Sequence, residues 1–188
     1  KPPDCGMKPN IEFYNTPEGE ICVKPLNEAM FILKESNTDL ISDLLVTIQE
    51  LYPTAFAALA ELYSKSELNR NYYHYKIVHR FIRCNFGEYD ALSMDIGSTG
   101  TFRMEDVRCP LRGECPFEGI ICRPTLDRKL SEREQQVANL LGKGHSTEDI
   151  GRALHISPYT VKRHIANIKT RLKLTHTNQI IAKFSKEL

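Results

Sequence analysis

Apolar residues recur at spacings of three and four along two stretches of the chain, and the breaks between them mark where helices start and stop. From Asn37 onward Leu40, Ile41, Leu44, Leu45, Ile48 and Leu51 fall on one helical face, with Asn37 placed to cap the first turn and Pro53 to end the helix. Further helices are predicted over residues 54–64 and from a Ser66 cap to about Arg83, joined by connections short enough for an antiparallel bundle. Gly87 ends the run. Residues 89–96 and 101–107 read as two strands around a Gly-Ser-Thr-Gly turn, a small hairpin. A cysteine-bearing loop, residues 109–122, and a linker, residues 123–128, follow. Residues 1–27 mix Pro, Gly and charge without periodicity and read as irregular, apart from a strand-like stretch at 20–23.

Four helices follow the linker. Ser131 and Glu134 make the S-x-x-E pattern in which each residue caps the other's backbone, and Val137, Leu140 and Leu141 supply the buried stripe up to Gly142 or Gly144. Ser146 caps a short second helix through Leu154, with Ile150 and Leu154 on one face. Ser157 caps a third, with Pro158 at the first helical position, where a missing N–H costs nothing. A fourth starts near Thr175 or Thr177 and buries Ile180, Ile181 and Phe184. The fold class is therefore mainly α with a small β-hairpin: an α+β N-terminal domain (1–122), a linker (123–128) and a C-terminal four-helix domain (129–188).

Composition places the chain among ordinary folded proteins, with 41% hydrophobic and 26% charged residues and neither repeats nor low-complexity tracts. Its net charge of +1 conceals an asymmetry. Residues 1–126 hold 13 Lys and Arg against 18 Asp and Glu, a net of −5, whereas residues 127–188 hold 12 against 6, a net of +6. The basic end is the candidate polyanion binder.

That charge concentrates on the third C-terminal helix. Val161, Ile165, Ile168 and Leu172 recur at i, i+4, i+7 and i+11 and face their own domain, which turns Lys162, Arg163, Ala166, Lys169 and Thr170 outward. A slender cationic face suits a major groove about 12 Å wide: Arg and Lys can donate to guanine O6 and N7, and Lys169, Thr160 and the N-terminal amides can hold phosphates. The runs L-S-E-R-E-Q-Q-V, G-H-S-T-E-D-I and I-S-P-Y-T-V-K-R-H-I-A-N-I-K-T-R-L, in that order and without gaps, resemble the LuxR-type family, also called the GerE or FixJ/NarL class, from Lys129 to about Ser185. The resemblance implies a helix-turn-helix that binds double-stranded DNA in a transcription regulator. It puts Lys162, Arg163 and Ala166 at base-facing positions and Ser157, Thr160, His164 and Lys169 at phosphate-facing ones. It also implies a homodimer through the fourth helix, reading half-sites about 10 base pairs apart, with RNA polymerase as a further partner. Two residues depart from the family pattern: Gly151 stands where Ala is usual, softening the second helix by about 1 kcal/mol, and His176 stands where Ser is usual at the fourth helix's cap.

The six cysteines pose a separate question. Cys109, Cys115 and Cys122 lie in C-P-L-R-G-E-C-P-F-E-G-I-I-C, and Cys84 at a helix end can join them to give four thiolates, a set that suits zinc or an iron–sulfur cluster. The competing readings are plain packing as small hydrophobes and a low-pKa thiol that senses oxidants directly. Cys5 and Cys22 receive no role. His74 and His79, among Tyr72, Tyr73, Tyr75 and Phe81, read as packing residues rather than ligands.

Several classes are set aside. The longest apolar run, Ala55 to Ala60, is far short of the roughly 20 residues of a membrane span, and a cytoplasmic protein without membrane contact is expected. With Lys1 in place of an initiator Met, a fragment, a processed product or the ordered part of a longer chain is expected. Residues 1–126 lack the alternating strands and helices of a phosphoacceptor domain, the tryptophan of acyl-homoserine-lactone pockets and any Gly-rich phosphate loop, leaving a sensing or oligomerisation module of unknown input. No catalytic signature is found, so an enzyme is not expected. The alternatives carried forward are a sigma-factor-like promoter-recognition protein, a metal- or redox-sensing regulator acting through the cysteines, and an interaction module whose helix-turn-helix has lost DNA.

Overall fold

The computed structural model describes residues 10–87, 89, 93–97 and 100–185. The chain divides into two compact units between Leu126 and Asp127.

In the N-terminal unit an antiparallel sheet of order β1-β2-β3 comes first: β1 (Ile11–Asn15), β2 (Ile21–Pro25) and β3 (Phe31–Ile32). Ile11 pairs with Pro25, Phe13 with Val23 and Asn15 with Ile21, and the alternate residues Ile11, Phe13, Ile21 and Val23 are buried. From Ile11 onward, therefore, the segment expected to be irregular is a sheet, with β2 falling on the strand-like stretch at 20–23. Its strands are only two to five residues long, and a buried carboxylate at Glu12 interrupts the apolar alternation in β1.

Helix α1 (Thr38–Leu51) buries the predicted stripe of Ile41, Leu44, Leu45, Ile48 and Leu51. Asn37 does not cap it by its side chain; its Oδ1 accepts from Lys34 N at 2.8 Å instead. Pro53 both ends α1 and opens α2 (Pro53–Leu62), since its fixed φ fits a first turn that has no use for its N–H. Ser66 closes a single 3₁₀ turn, Ser64–Ser66, and the cap of α3 (Arg70–Asn85) is Asn69, whose side chain accepts from Tyr72 N at 3.3 Å. Among the described residues the expected hairpin shows as bridges: Ile96 pairs with Phe102, and Arg103 N donates to Asp95 O at 2.8 Å. Ile96 also pairs with Ile11 on the open side of β1. Residues 88 and 90–92 of the first predicted strand and the Ser-Thr of its turn lie outside the described residues. Tyr52 and Phe102 stack in the core beside Phe81 and Phe86, and burial raises the Tyr52 phenol to about 12.

The C-terminal unit holds α4 (Glu132–Gly142), α5 (Thr147–Leu154), α6 (Pro158–Leu172) and α7 (Thr177–Phe184). Serine hydroxyls cap the first three: Ser131 accepts from Glu134 N at 3.2 Å, Ser146 from Asp149 N at 3.2 Å and Ser157 from Thr160 N at 3.0 Å. Each such cap contributes about 1 kcal/mol. At α7 the work passes to Gln179, whose Oε1 accepts from His176 N at 3.0 Å and Thr175 N at 2.8 Å, so the uncertain start falls at Thr177. Val137, Ala138, Leu141, Ile150, Val161, Ile165, Ile168, Ile180 and Phe184 form the core. Gly142 lets α7 close over it, because a Cβ there would meet the Phe184 carbonyl carbon at 2.8 Å.

One ion pair crosses this core. Arg171 Nε lies 3.0 Å from Glu134 Oε2, with the two side chains 3% and 2% exposed. Glu134 Oε2 also accepts from Ser131 N at 2.8 Å, and the Arg171 guanidinium reaches the Asp127 carboxylate at 3.3 Å. Glu134→Gln keeps an acceptor for Ser131 but leaves the buried guanidinium without its main counter-charge, and is expected to cost about 3 kcal/mol. Urea unfolding of the full chain followed by helical circular dichroism checks this; a loss under about 1 kcal/mol overturns it.

Candidate nucleic-acid interface

The turn between α5 and α6 sets where α6 begins. His155 closes α5 in the left-handed conformation, at φ 54°, and Ile156 N donates back to Gly151 O at 3.0 Å. A Cβ on Gly151 would lie 2.8 Å from the Ile156 carbonyl oxygen. The departure from alanine is thus a close backbone approach, besides any softening of α5. Gly151→Ala, which helix propensity alone would favour by about 1 kcal/mol, is expected to destabilise by about 1–3 kcal/mol through overpacking. A thermal melt showing a raised Tm would reverse that reading.

Beyond the turn, Ser157 accepts from Thr160 N, and the Ser157 and Thr160 hydroxyls lie 2.8 Å apart. Val161, Ile165 and Ile168 are buried and Leu172 half-buried, as the stripe predicts. On the other side Ser157 and Lys162 are exposed, and Thr160, Arg163, Ala166, Lys169 and Thr170 half-buried. Thr170 Oγ1 is turned back to Ala166 O at 3.0 Å. Partial burial holds the Lys169 ammonium below its usual range, and a nearby phosphate would favour its charged form. His164 differs from the other six positions: it is 7% exposed and takes its place in the domain with buried Asn167 and Arg171. Arg171 was not foreseen as a core residue. Its partner Glu134 stands 37 positions away, beyond any local spacing rule.

Of the candidate metal ligands, Cys84 is the second-last residue of α3, and Cys109, Cys115 and Cys122 follow on the loop. No three of these thiols lie within 4.8 Å of one another; among the described residues the set that does is Glu12, Asp95 and Glu105. Those carboxylates, which sequence reasoning missed, accept backbone N–H groups: Asp95 Oδ2 from Phe13 N at 2.7 Å and Glu105 Oε2 from Gly87 N at 2.6 Å. His74 packs on Tyr73 and His79 on Tyr75, and burial lowers the pKa of both histidines.

Two capped helices joined by a tight left-handed turn, the second basic on its open side, define a helix-turn-helix domain. Residues 128–184 match the family described as GerE, bacterial regulatory proteins of the luxR family, and this segment is a DNA-binding domain of that family. The chain is similar to the response regulator protein VraR of Staphylococcus aureus strains Mu3, NCTC 8325 and COL, each 34% identical over 84 residues, or 40% of either chain. The match thus spans about two fifths of the length of these relatives. No solved structure matches the chain. No helix among the described residues is long and apolar enough to cross a membrane.

Proposed function

We propose that the chain is a sequence-specific, non-enzymatic transcription regulator that lays α6 in the major groove of duplex DNA. The carrying observation is the division of α6 into a buried apolar stripe and an open side bearing exposed Lys162 with Arg163, Ala166 and Lys169. Lys162 and Arg163 donate to base edges, Ala166 makes room for them, and Ser157, Thr160 and Lys169 hold phosphates. His164 supports the helix from within the domain.

The chain acts as a homodimer through α7, whose Ile180 and Phe184 serve the core while Asn178, Gln179 and Lys183 remain exposed. Response regulator is the VraR name, and it is not carried over to the N-terminal unit. The antiparallel order of β1 to β3 and the run of helices after it differ from the alternating βα pattern of a parallel-sheet receiver. That unit is assigned to sensing or oligomerisation.

Fluorescence anisotropy with DNA selected from a random pool tests the reading. Lys162→Ala and Arg163→Ala are each expected to weaken selected-site binding by about 1–3 kcal/mol, and affinity for any duplex is expected to fall steeply with added salt as counterions are released. Wild-type affinity in both variants overturns the contact assignment. Binding insensitive to salt overturns the DNA reading itself.

A further inference from the structure

The four cysteines that sequence spacing grouped are far apart along the chain, yet the fold carries them to one place. Asn85, fully buried at the end of α3 and next to Cys84, does this with one amide. Its Nδ2 donates to Ile121 O at 2.9 Å and its Oδ1 accepts from Arg123 N at 2.9 Å. Those two residues flank Cys122, so Cys122 is pinned beside the helix end that bears Cys84. Buried Ile121 anchors the same strand of loop in the core.

The rest of the loop folds back through successive turns. Arg112 N donates to Cys109 O at 3.2 Å, Cys115 N to Leu111 O at 2.9 Å and Glu118 N to Cys115 O at 3.1 Å. Asp106 braces the two ends, pairing with Arg112 between the first two loop cysteines and with Arg123 after the third. The closeness also shows in charge: burial is the largest influence raising the Cys84 thiol, Arg80 opposes it, and Cys122, Cys109 and Cys115 each push it further up.

Two observations bear on the uses of such a group. The thiols are free, so the loop is not held by disulfides. Cysteine serving as a small hydrophobe is buried, whereas Cys109 is exposed and Cys115 and Cys122 are only half-buried. Four gathered thiols whose negative forms repel one another gain most from a cation that replaces their protons.

We propose that Cys84, Cys109, Cys115 and Cys122 form a four-thiolate site for a thiophilic metal centre in the N-terminal unit. Tetrahedral zinc, with Zn–S near 2.3 Å, brings its sulfurs to about 3.8 Å. No three of these sulfurs lie within 4.8 Å of one another, so a single zinc ion would have to draw them together, whereas an iron–sulfur cluster, whose thiolates bind separate irons, accepts a wider spacing. On binding, each thiol gives up its proton to solvent and its sulfur becomes a ligand without changing its own oxidation state; the ferric part of a cluster's iron is supplied as ferric iron, so that no electrons have to leave the site. The inference is independent of the reading of α6.

The test uses the full chain, purified without oxygen and also reconstituted with ferrous and ferric iron plus sulfide or with zinc. Iron and acid-labile sulfide in comparable amounts, with a brown colour, are expected; stoichiometric zinc without colour would keep the four-thiolate site and close it around a single ion. Cys109→Ser, at an exposed position that the fold tolerates, is expected to lower metal content at least tenfold, with Cys5→Ser as the unaffected control. Circular dichroism confirms that both variants are folded. Failure to hold iron or zinc after reconstitution, or undiminished metal in both Cys109→Ser and Cys122→Ser, overturns the proposal.

Discussion

The C-terminal domain depends on a salt bridge that local sequence rules do not reveal. Glu134 serves at once as the third residue of a capping box and as the counter-ion of a buried guanidinium, and Arg171 carries that guanidinium from the far end of α6 to the linker at Asp127. Buried pairs contribute little net stability against well-packed apolar residues, but losing one partner is severe. What this pair supplies is angle and register: it fixes the end of α6 against the start of α4, while the apolar stripe of Val161, Ile165 and Ile168 fixes which side faces in. The orientation of Lys162 and Arg163 follows from both.

A single polar side chain has a comparable place in the N-terminal unit. Asn85 offers a donor and an acceptor on one planar group, and both are used on the loop's backbone. Aspartate would lack the donor, and leucine would lack both, so no residue of similar size satisfies Ile121 O and Arg123 N together. The cysteine loop has few apolar residues of its own in the core besides Ile121, and its course rests on this amide, on Asp106 and on its own turns.

Legibility followed the range of the interactions. All four C-terminal helices, the serine caps of the first three and the buried stripe of α6 could be read because each signal lies within one helical turn or one helical face, and the family resemblance rests on those same positions. The N-terminal helices were also visible; Asn37 holds the predicted cap position of α1 but turns its amide to Lys34, and Asn69 takes the role given to Ser66. Of the sheet only β2 showed, as the strand-like stretch at 20–23; β1 was hidden because it is short, carries buried Glu12, and is completed by Ile96 from far along the chain. At the candidate interface, His164 and Arg171 share a basic helix with Lys162 and Arg163, and only the packing of neighbouring helices tells an inward cation from an outward one.

The two ends of α6 are closed by different devices, the Ser157 cap at the start and a left-handed Lys173 at φ 55° after the last turn. A helix framed in this way has a fixed phase. One inserted or deleted residue between the caps would rotate everything beyond it by about 100°, carrying either the apolar stripe into water or Arg171 away from Glu134. Substitutions at Lys162, Arg163 and Ala166 disturb neither end. Over evolutionary time such a domain is free to change what its open side reads residue by residue, while the length of the helix that presents it stays constant.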